Sequence, residues 1–281
     1  MLKLRAIDED GLEAAADLLT KGFPSRSRAF WLSGLKRLAD YNRRTGVPSL
    51  GTFLMADERP VGILLTIVRR DRQTGRKLIN LSSWYVEEAH RWSAVRLVMA
   101  AVADKEAIYT DLTPTETAAE VNARFGFRSF DIKQLILFLP WLAVVGPGKA
   151  RLRPLSAAPS GAVTETLMQD LREHIDLGCI VCTLDVDGRH HPIVFDVTTR
   201  KRIPAARVVF AEDRHIVTSN LGPIARMLTL RGIPLLTLQV GRDEHVPNAW
   251  IWKPELCYQV RGEWDDRMIN ELYSERVLLK V

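Results

Sequence analysis

Residues 77–131 constrain the fold most, because strand and helix patterns alternate twice within them. Residues 78–86 are rich in β-branched and aromatic side chains, which favours a strand, and residues 94–102 carry apolar side chains at helical spacing. A second apolar strand pattern covers residues 107–112, and Thr-Pro-Thr-Glu at 113–116 supplies a cap, a proline and an acid for another helix that ends near Gly126. Two strands joined by a helix form a right-handed parallel crossover. The sequence therefore predicts an α/β fold with a mixed sheet.

The residues before this stretch predict further elements of the same sheet. A strand is expected at residues 2–7, helices at 11–21 and 28–42, and a hairpin at 51–56 and 61–69. The second helix has an apolar stripe that includes Phe30, Trp31 and Tyr41, which either packs in the core or lines a substrate pocket. Residues 131–139 are expected to complete this first sheet.

Two segments of the central stretch resemble the GNAT (GCN5-related N-acetyltransferase) superfamily. Arg91-Trp92-Ser93-Ala94-Val95-Arg96 falls where that family carries Arg/Gln-x-x-Gly-x-Gly/Ala, the turn that binds a pyrophosphate. Phe125-Gly126-Phe127-Arg128 falls where the family's closing motif ends. Ala94 and Arg96 stand at the two glycine places, and Asn122 occupies the place where many members have a tyrosine that acts as general acid.

The resemblance implies a GNAT-like fold and an acyl-CoA co-substrate, acetyl-CoA or a longer acyl-CoA. The residues expected to contact it surround the end of the strand at 78–86: Tyr85, Val86, Arg91, Trp92, Ser93, Ala94, Val95 and Arg96. A strand that ends beside a helix N-terminus offers backbone amides to phosphate and to a thioester carbonyl.

Acyl transfer also needs groups that move protons. Glu88 and His90 are the candidates for removing a proton from the acceptor, with Glu87 as an alternative, although both acids are equally suited to a helix start. Tyr109 is the candidate acid for the leaving thiolate, with Tyr85 as an alternative, although packing in its strand explains Tyr109 equally well.

A Gly/Pro/Ala-rich segment at residues 146–161 predicts a domain boundary. Residues 50–113 and 177–240 repeat the same order of strands and turns, which predicts two GNAT-like halves in tandem. We expect an N-terminal GNAT-like acyl-CoA-binding domain at 1–145 and a degenerate GNAT-like domain at 160–281, with a terminal helix around residues 265–274.

Composition excludes several other classes. The net charge of +5 is spread along 281 residues without a dense run, so we expect no nucleic-acid partner. Three cysteines favour a reducing, cytoplasmic compartment, and no signal peptide or membrane span is expected. Cys179 and Cys182 would point to opposite faces of a strand, so no metal site is expected. Motifs of serine hydrolases, P-loop NTPases and zinc proteases are absent from the sequence.

These observations lead to two main hypotheses, and a third, a nucleic-acid binder, rests on the net charge alone. The chain is an N-acyltransferase-type enzyme that transfers an acyl group from acyl-CoA to an amine or hydroxyl of a small-molecule acceptor. Alternatively it is a catalytically silent acyl-CoA-binding or structural GNAT-like protein, as the residues at positions 94, 96 and 122 suggest. A homodimer is left open.

Overall fold

A computed structural model describes residues 1–70, 75–157, 163–200 and 202–280. The chain forms two compact units. Unit 1 consists of Met1–Ser129, Tyr258–Glu263 and Tyr273–Val281, and unit 2 consists of Phe130–Cys257 and Trp264–Leu272. The continuous part of unit 1 thus ends at Ser129, earlier than the boundary predicted after residue 145. Residues 158–162, part of the predicted linker, lie outside the described residues.

The strands and helices alternate along both units. The strands are β1 (Leu2–Ala6), β2 (Gly51–Ala56), β3 (Arg59–Arg70), β4 (Lys77–Val86), β5 (Ile108–Asp111), β6 (Arg128–Phe138), β7 (Arg151–Pro154), β8 (Ile180–Val186), β9 (Arg189–Arg200), β10 (Ile203–Ala211), β11 (Leu235–Gly241), β12 (Ala249–Arg261) and β13 (Ile269–Asn270). The helices are α1 (Leu12–Gly22), α2 (Arg28–Thr45), α3 (Val95–Ala101), α4 (Glu116–Arg124), α5 (Leu139–Val145), α6 (Glu165–Asp176), α7 (Arg214–Thr218), α8 (Leu221–Thr229) and α9 (Glu275–Leu278). A 3₁₀ helix at Glu88–Ser93 precedes α3.

Unit 1 contains a mixed sheet in the order β1-β2-β3-β4-β5, followed by the last residues of β12. The pair β4–β5 is parallel, and the other neighbouring strands of this sheet pair antiparallel. The parallel pair requires a crossover, which α3 supplies, and the apolar face of α3 packs on this sheet through Leu97 and Val98. The α/β fold and the central strand-helix-strand-helix order predicted from the sequence are confirmed.

Local sequence signals set the ends of the helices that surround the site. The Ser27 side chain accepts a hydrogen bond from the Phe30 backbone N–H and caps α2, which ends at Thr45 and is followed by Gly46 in the left-handed conformation. The Thr115 side chain caps α4 in the same way through the Ala118 N–H. Helix α1 ends at Gly22, where a Cβ atom would lie 2.5 Å from the Tyr85 ring, so only glycine allows this close approach to β4.

Unit 2 repeats much of this arrangement. Its sheet has the order β7-β8-β9-β10-β11-β6 followed by the first residues of β12, and β13 pairs with β10. As in unit 1, an antiparallel pair (β9–β10) is followed by a parallel pair (β10–β11), with helices in the crossover. The described helices include none with both the length and the apolar character needed to cross a bilayer.

Two elements differ from the prediction. Strand β6 belongs to unit 2, because its buried Leu135 and Leu137 pack in that core and its backbone pairs with β11. A terminal helix at residues 265–274 was expected, and this is wrong. Asp265 instead accepts from the backbone N–H of Arg267 and closes a turn, residues 269–270 pair with β10, and the last helix begins at Glu275.

Candidate active site

A cavity opens in unit 1 where β4 and β5 separate. Parallel pairing runs from Leu78↔Ile108 to Leu81↔Asp111 and ends there among the described residues, whereas β4 continues to Val86. The edge of β4 at residues 82–86 therefore borders a cavity of about 670 Å³. Its walls come from β4, the turn before α3, the start of α4 and α9.

A β-bulge shapes this edge of β4. Residue Ile63 pairs with Tyr85 and Leu65 with Ser82, so Ser83 and Trp84 together oppose one residue of β3. Ser83 has φ of 51°, a left-handed conformation that costs a non-glycine residue roughly 1 to 2 kcal/mol. Bulges of this kind bend a strand and re-aim its side chains, and they are frequent beside active sites.

A buried polar network lies on one wall of the cavity. The Asn122 side-chain amide donates to Asp111 Oδ2 at 2.9 Å and to Gln259 Oε1 at 3.0 Å. The Gln259 amide nitrogen in turn donates to the Ala119 carbonyl and to Ser129 Oγ, both at 3.1 Å. Because a carbonyl only accepts, the Gln259 NH₂ group must face Ala119 and its oxygen must face Asn122. Asn122 is therefore held as a hydrogen-bond donor to Asp111.

Asp111 is the carboxylate of this wall with a perturbed pKa. Burial raises the pKa of Asp111 to about 6, and hydrogen bonds from Asn122 and from the Thr113 backbone N–H only partly oppose that rise. Glu275 on α9 lines the same cavity and accepts a hydrogen bond from Thr113 Oγ1 at 3.1 Å. Neither acid was predicted from the sequence as a site residue. An acidic residue at the carboxyl end of a parallel strand was the only available signal for Asp111.

The residues predicted to contact CoA are mostly at the cavity. Six of them line it: Tyr85, Val86, Arg91, Trp92, Ala94 and Val95. Trp92 is 75% exposed and Arg91 is also exposed, so both lie at its rim. Ser93 and Arg96 are not among the described residues that line the cavity. The Ser93 hydroxyl is buried without a hydrogen-bond partner there, and the Arg96 guanidinium donates to the Leu2 carbonyl at 3.4 Å.

The three predicted catalytic residues are not among the described residues that line the cavity. They are Tyr109, Glu88 and His90. The Tyr109 hydroxyl is buried and donates to the Asp104 carbonyl at 2.9 Å, and burial raises its pKa. Glu88 is exposed. Burial alone would raise the pKa of Glu87, but hydrogen bonds from Arg59 and Lys21 outweigh burial and lower it.

Three aromatic residues of α2 were predicted to pack or to line a pocket. Trp31 is buried and lines the cavity, whereas Phe30 packs edge-on against Trp31. Tyr41 is buried against Tyr273, and its hydroxyl donates to the Val68 carbonyl. The stripe therefore contributes one residue to the cavity wall and otherwise packs.

The described residues contain no cluster of three or more His, Cys, Asp or Glu side chains that could hold a metal ion. Cys179 and Cys182 are both buried, and burial raises the pKa of the Cys182 thiol to about 12. A thiol that stays protonated at neutral pH is a poor metal ligand.

Comparison with solved structures identifies the fold. A tandem GNAT protein from the clavulanic acid biosynthesis pathway matches 94% of this chain over 100% of its own length, with a TM-score of 0.53 and 12% identity. The chain has a tandem GNAT fold. No protein-family model matches the sequence, and neither does any curated protein sequence.

Two further solved structures resemble this chain. A GCN5-related N-acetyltransferase from Anabaena variabilis ATCC 29413 gives a TM-score of 0.57 at 10% identity, covering 93% of this chain and 72% of its own. A putative acetyltransferase from Pyrococcus horikoshii gives a TM-score of 0.53 at 9% identity, covering 97% of this chain and 93% of its own. The tandem GNAT fold predicted from the sequence is confirmed.

Proposed function

We propose that this chain is a CoA-dependent acyltransferase of the N-acyltransferase type, which moves an acetyl or longer acyl group to an amine or hydroxyl of a small-molecule acceptor. The observation that supports this most is the separation of β4 from β5 at Leu81↔Asp111, with the bulged β4 edge bordering the cavity. A strand edge whose backbone groups lack a neighbouring strand binds an extended chain by hydrogen bonds and polarises a carbonyl placed against it.

The residues at the cavity fit an acyl-CoA. The turn at Glu88–Ser93 brings the Arg91 cation to the rim, and Ala94 is a small residue where the chain enters α3. Trp92 and Val95 add exposed apolar surface beside it. This combination offers a cation for phosphate and an apolar edge for the extended pantetheine arm.

Arg91→Ala tests the donor site. Removing a charge-assisted hydrogen bond to phosphate should cost about 1 to 3 kcal/mol, so the affinity for CoA should fall roughly five- to 150-fold in isothermal titration calorimetry. Arg96→Ala should change it less, because Arg96 already donates to the Leu2 carbonyl. Arg44→Ala, on the exposed last turn of α2, is the matched control and should bind CoA as the parent does. Unchanged affinity in Arg91→Ala would exclude this placement.

A silent acyl-CoA-binding or structural protein is the second candidate. It is favoured by Asn122, which occupies the place of the tyrosine acid of many GNAT enzymes and uses its amide in the buried network with Asp111 and Gln259. The two candidates separate in one assay, the release of CoA thiol from acetyl-CoA in the presence of glucosamine, spermidine and a lysine-containing peptide. CoA binding with thiol release supports the enzyme, and CoA binding without release supports the silent protein.

A further inference from the structure

We propose that Asp111 is the carboxylate that binds the acceptor as a primary ammonium group and takes its proton. The acceptor would then be a primary amine rather than an alcohol. This inference rests on the acyltransferase function proposed above, and it adds the acceptor class and the proton-accepting residue.

The position of Asp111 in the sheet carries the inference. It is the last residue of β5 that pairs with β4, opposite Leu81, and its side chain borders the cavity. Adjacent strands lie about 4.8 Å apart, so this carboxylate is one strand away from the place where residues 82–86 of β4 begin to border the cavity. A thioester held on that edge of β4 would therefore have Asp111 beside it, within reach of an attacking nitrogen.

The hydrogen bonds around Asp111 prepare it to accept. Asn122 and the Thr113 backbone N–H both donate to the carboxyl group, and the network through Gln259 and Ala119 fixes the donor direction of Asn122. An ionised carboxylate has about four acceptor positions, so two donors leave room for an ammonium N–H. The residue at the place of the tyrosine acid thus acts here as a positioning residue for a base.

The charges at the cavity agree with a cationic acceptor. The other titratable groups that line it with Asp111 are Tyr85, Arg91 and Glu275, from β4, the turn before α3 and α9 respectively. The groups that reach Asp111 from α4 and β12, Asn122 and Gln259, are uncharged amides. Arg91 lies at the rim, where a phosphate is expected, and a second carboxylate, Glu275, faces the same cavity.

The basicity of Asp111 separates amines from alcohols. A pKa of about 6 instead of 3.8 makes proton transfer from an ammonium group more favourable by about a hundredfold. The pKa of an alkylammonium, near 10.4, is then about four units above that of Asp111, whereas the pKa of a hydroxyl lies much further above it. Asp111 is therefore matched to an amine acceptor.

The acyl transfer moves two protons from nitrogen and one acyl group from sulfur to nitrogen. The ammonium gives one proton to the Asp111 carboxylate, and the resulting amine lone pair forms a C–N bond to the thioester carbonyl carbon while the C=O π electrons move to oxygen. The oxygen electrons then re-form the C=O bond, the C–S bond breaks, and the second nitrogen proton goes to the thiolate. The products are the amide and CoA-SH, and Asp111 releases its proton to water.

Asp111→Asn tests the proposal with acetyl-CoA and the most reactive amine among glucosamine, spermidine and the lysine-containing peptide. The variant should bind CoA normally but turn over at least a hundredfold more slowly at pH 7. Its kcat/KM should rise about tenfold per pH unit from pH 7 until the pH approaches the pKa of the acceptor amine, because only the free amine reacts, whereas the parent should level off above pH 6 to 7. Glu120→Gln, exposed on α4, is the matched control and should behave as the parent.

Two further variants keep the test decisive. Asp111→Glu retains a carboxylate and should keep more activity than Asp111→Asn at equal thermal stability. Asn122→Ala removes a donor to the ionised form and should move the acidic limb of the kcat/KM profile to higher pH, which a merely structural role would not do. An unmoved limb would overturn the positioning role of Asn122.

The outcomes distinguish this inference from the function on which it rests. A parent that acetylates amines together with an Asp111→Asn variant within twofold of it, or one with an unchanged pH profile, overturns the role of Asp111 and leaves the acyltransferase standing. Faster acetylation of hydroxyl than of amine acceptors by the parent overturns the acceptor class. A parent that binds CoA but releases no thiol with any of the three amines, or with glucose as the hydroxyl counterpart of glucosamine, overturns the proposed function and this inference with it.

Discussion

At the scale of single residues, the burial of Asp111 makes its carboxylate more basic and lowers the stability of the folded protein at neutral pH. Its pKa is raised from 3.8 to about 6 by burial, so the folded state favours the protonated form. The stability that this form contributes is complete below pH 4 and is lost as the pH rises through 6. The ionised carboxylate therefore costs the folded protein at neutral pH up to roughly 3 kcal/mol, since one pKa unit corresponds to about 1.4 kcal/mol.

Asp111→Asn should remove this cost. We expect the free energy of unfolding of the variant to exceed that of the parent by about 1 to 2 kcal/mol at pH 8, because the amide loses one of the two hydrogen bonds that the carboxylate accepts. At pH 4 the advantage should disappear. Urea unfolding at both pH values measures the difference, and an equal effect at pH 4 and pH 8 would contradict the raised pKa.

Tyr109 gives the opposite expectation. Its hydroxyl donates to the Asp104 carbonyl and accepts from the Asp104 N–H, both away from the cavity. Tyr109→Phe should lower the free energy of unfolding by about 1 to 2 kcal/mol and leave turnover within a few-fold of the parent. An acid role, as predicted from the sequence, would instead lower turnover ten- to ten-thousandfold with stability less affected. Steady-state kinetics alongside thermal unfolding decide between the two.

At the scale of elements, the periodicity of apolar residues predicted the strands and helices whose positions depend on local packing. The strands β4 and β5, the helices α3 and α4 and the N-terminal strand and helices all follow from apolar spacing and from capping residues such as Ser27 and Thr115. The parallel crossover was predictable because handedness and the sheet leave few alternatives. These elements place the cavity at the end of β4.

The rest of the site depends on pairings that no local pattern encodes. Asn122 and Gln259 lie 137 residues apart along the chain, and β12 pairs with β5 through Gln259↔Asp111. Without that pairing, Asp111 reads as an acid before a turn and Asn122 as a polar residue on a helix. The bulge at Ser83 was equally invisible, because serine gives no local signal for a left-handed conformation. The turn before α3 was therefore predicted by its sequence motif, and the polar wall with Asp111 was not.

At the scale of the whole molecule, the two units share much of their topology but differ at the start of a crossover helix. In unit 2 the second helix of the parallel crossover, α8, begins at Leu221, where the Gly222 N–H donates to the Pro147 carbonyl at 2.8 Å. Gly148 packs so closely on Asn220 that a Cβ atom on residue 148 would lie 2.5 Å from the Cα of Asn220. The place that corresponds to the pyrophosphate turn is thus covered by residues 146–148 of the same unit. This closure agrees with the prediction that the second half is degenerate at this place.

Unit 1 is built from separate segments of the chain, and this determines which fragments can fold by themselves. Residues 258–263 and 273–281 belong to it, although they lie beyond the predicted boundary. Gln259 completes the polar network of Asp111, and the Arg37 guanidinium donates to the carbonyls of Leu278 at 3.0 Å and Leu279 at 3.2 Å. A fragment of residues 1–145 would lose all of these contacts while keeping every element that the sequence assigned to the first domain.

We therefore expect fragment 1–145 to lack a cooperative thermal transition and to bind no CoA. The control is the full chain with a protease site inserted between residues 157 and 163 and cleaved after folding, which keeps every residue of unit 1. This cleaved chain should unfold cooperatively within a few degrees of the parent and bind CoA, which would show that the missing residues, and not the chain break, unfold the fragment. Circular dichroism and calorimetry measure both properties. A fragment 1–145 that unfolds cooperatively near the temperature of the parent would mean that the first half folds alone, as the sequence predicted, and that residues 258–281 are dispensable for its core.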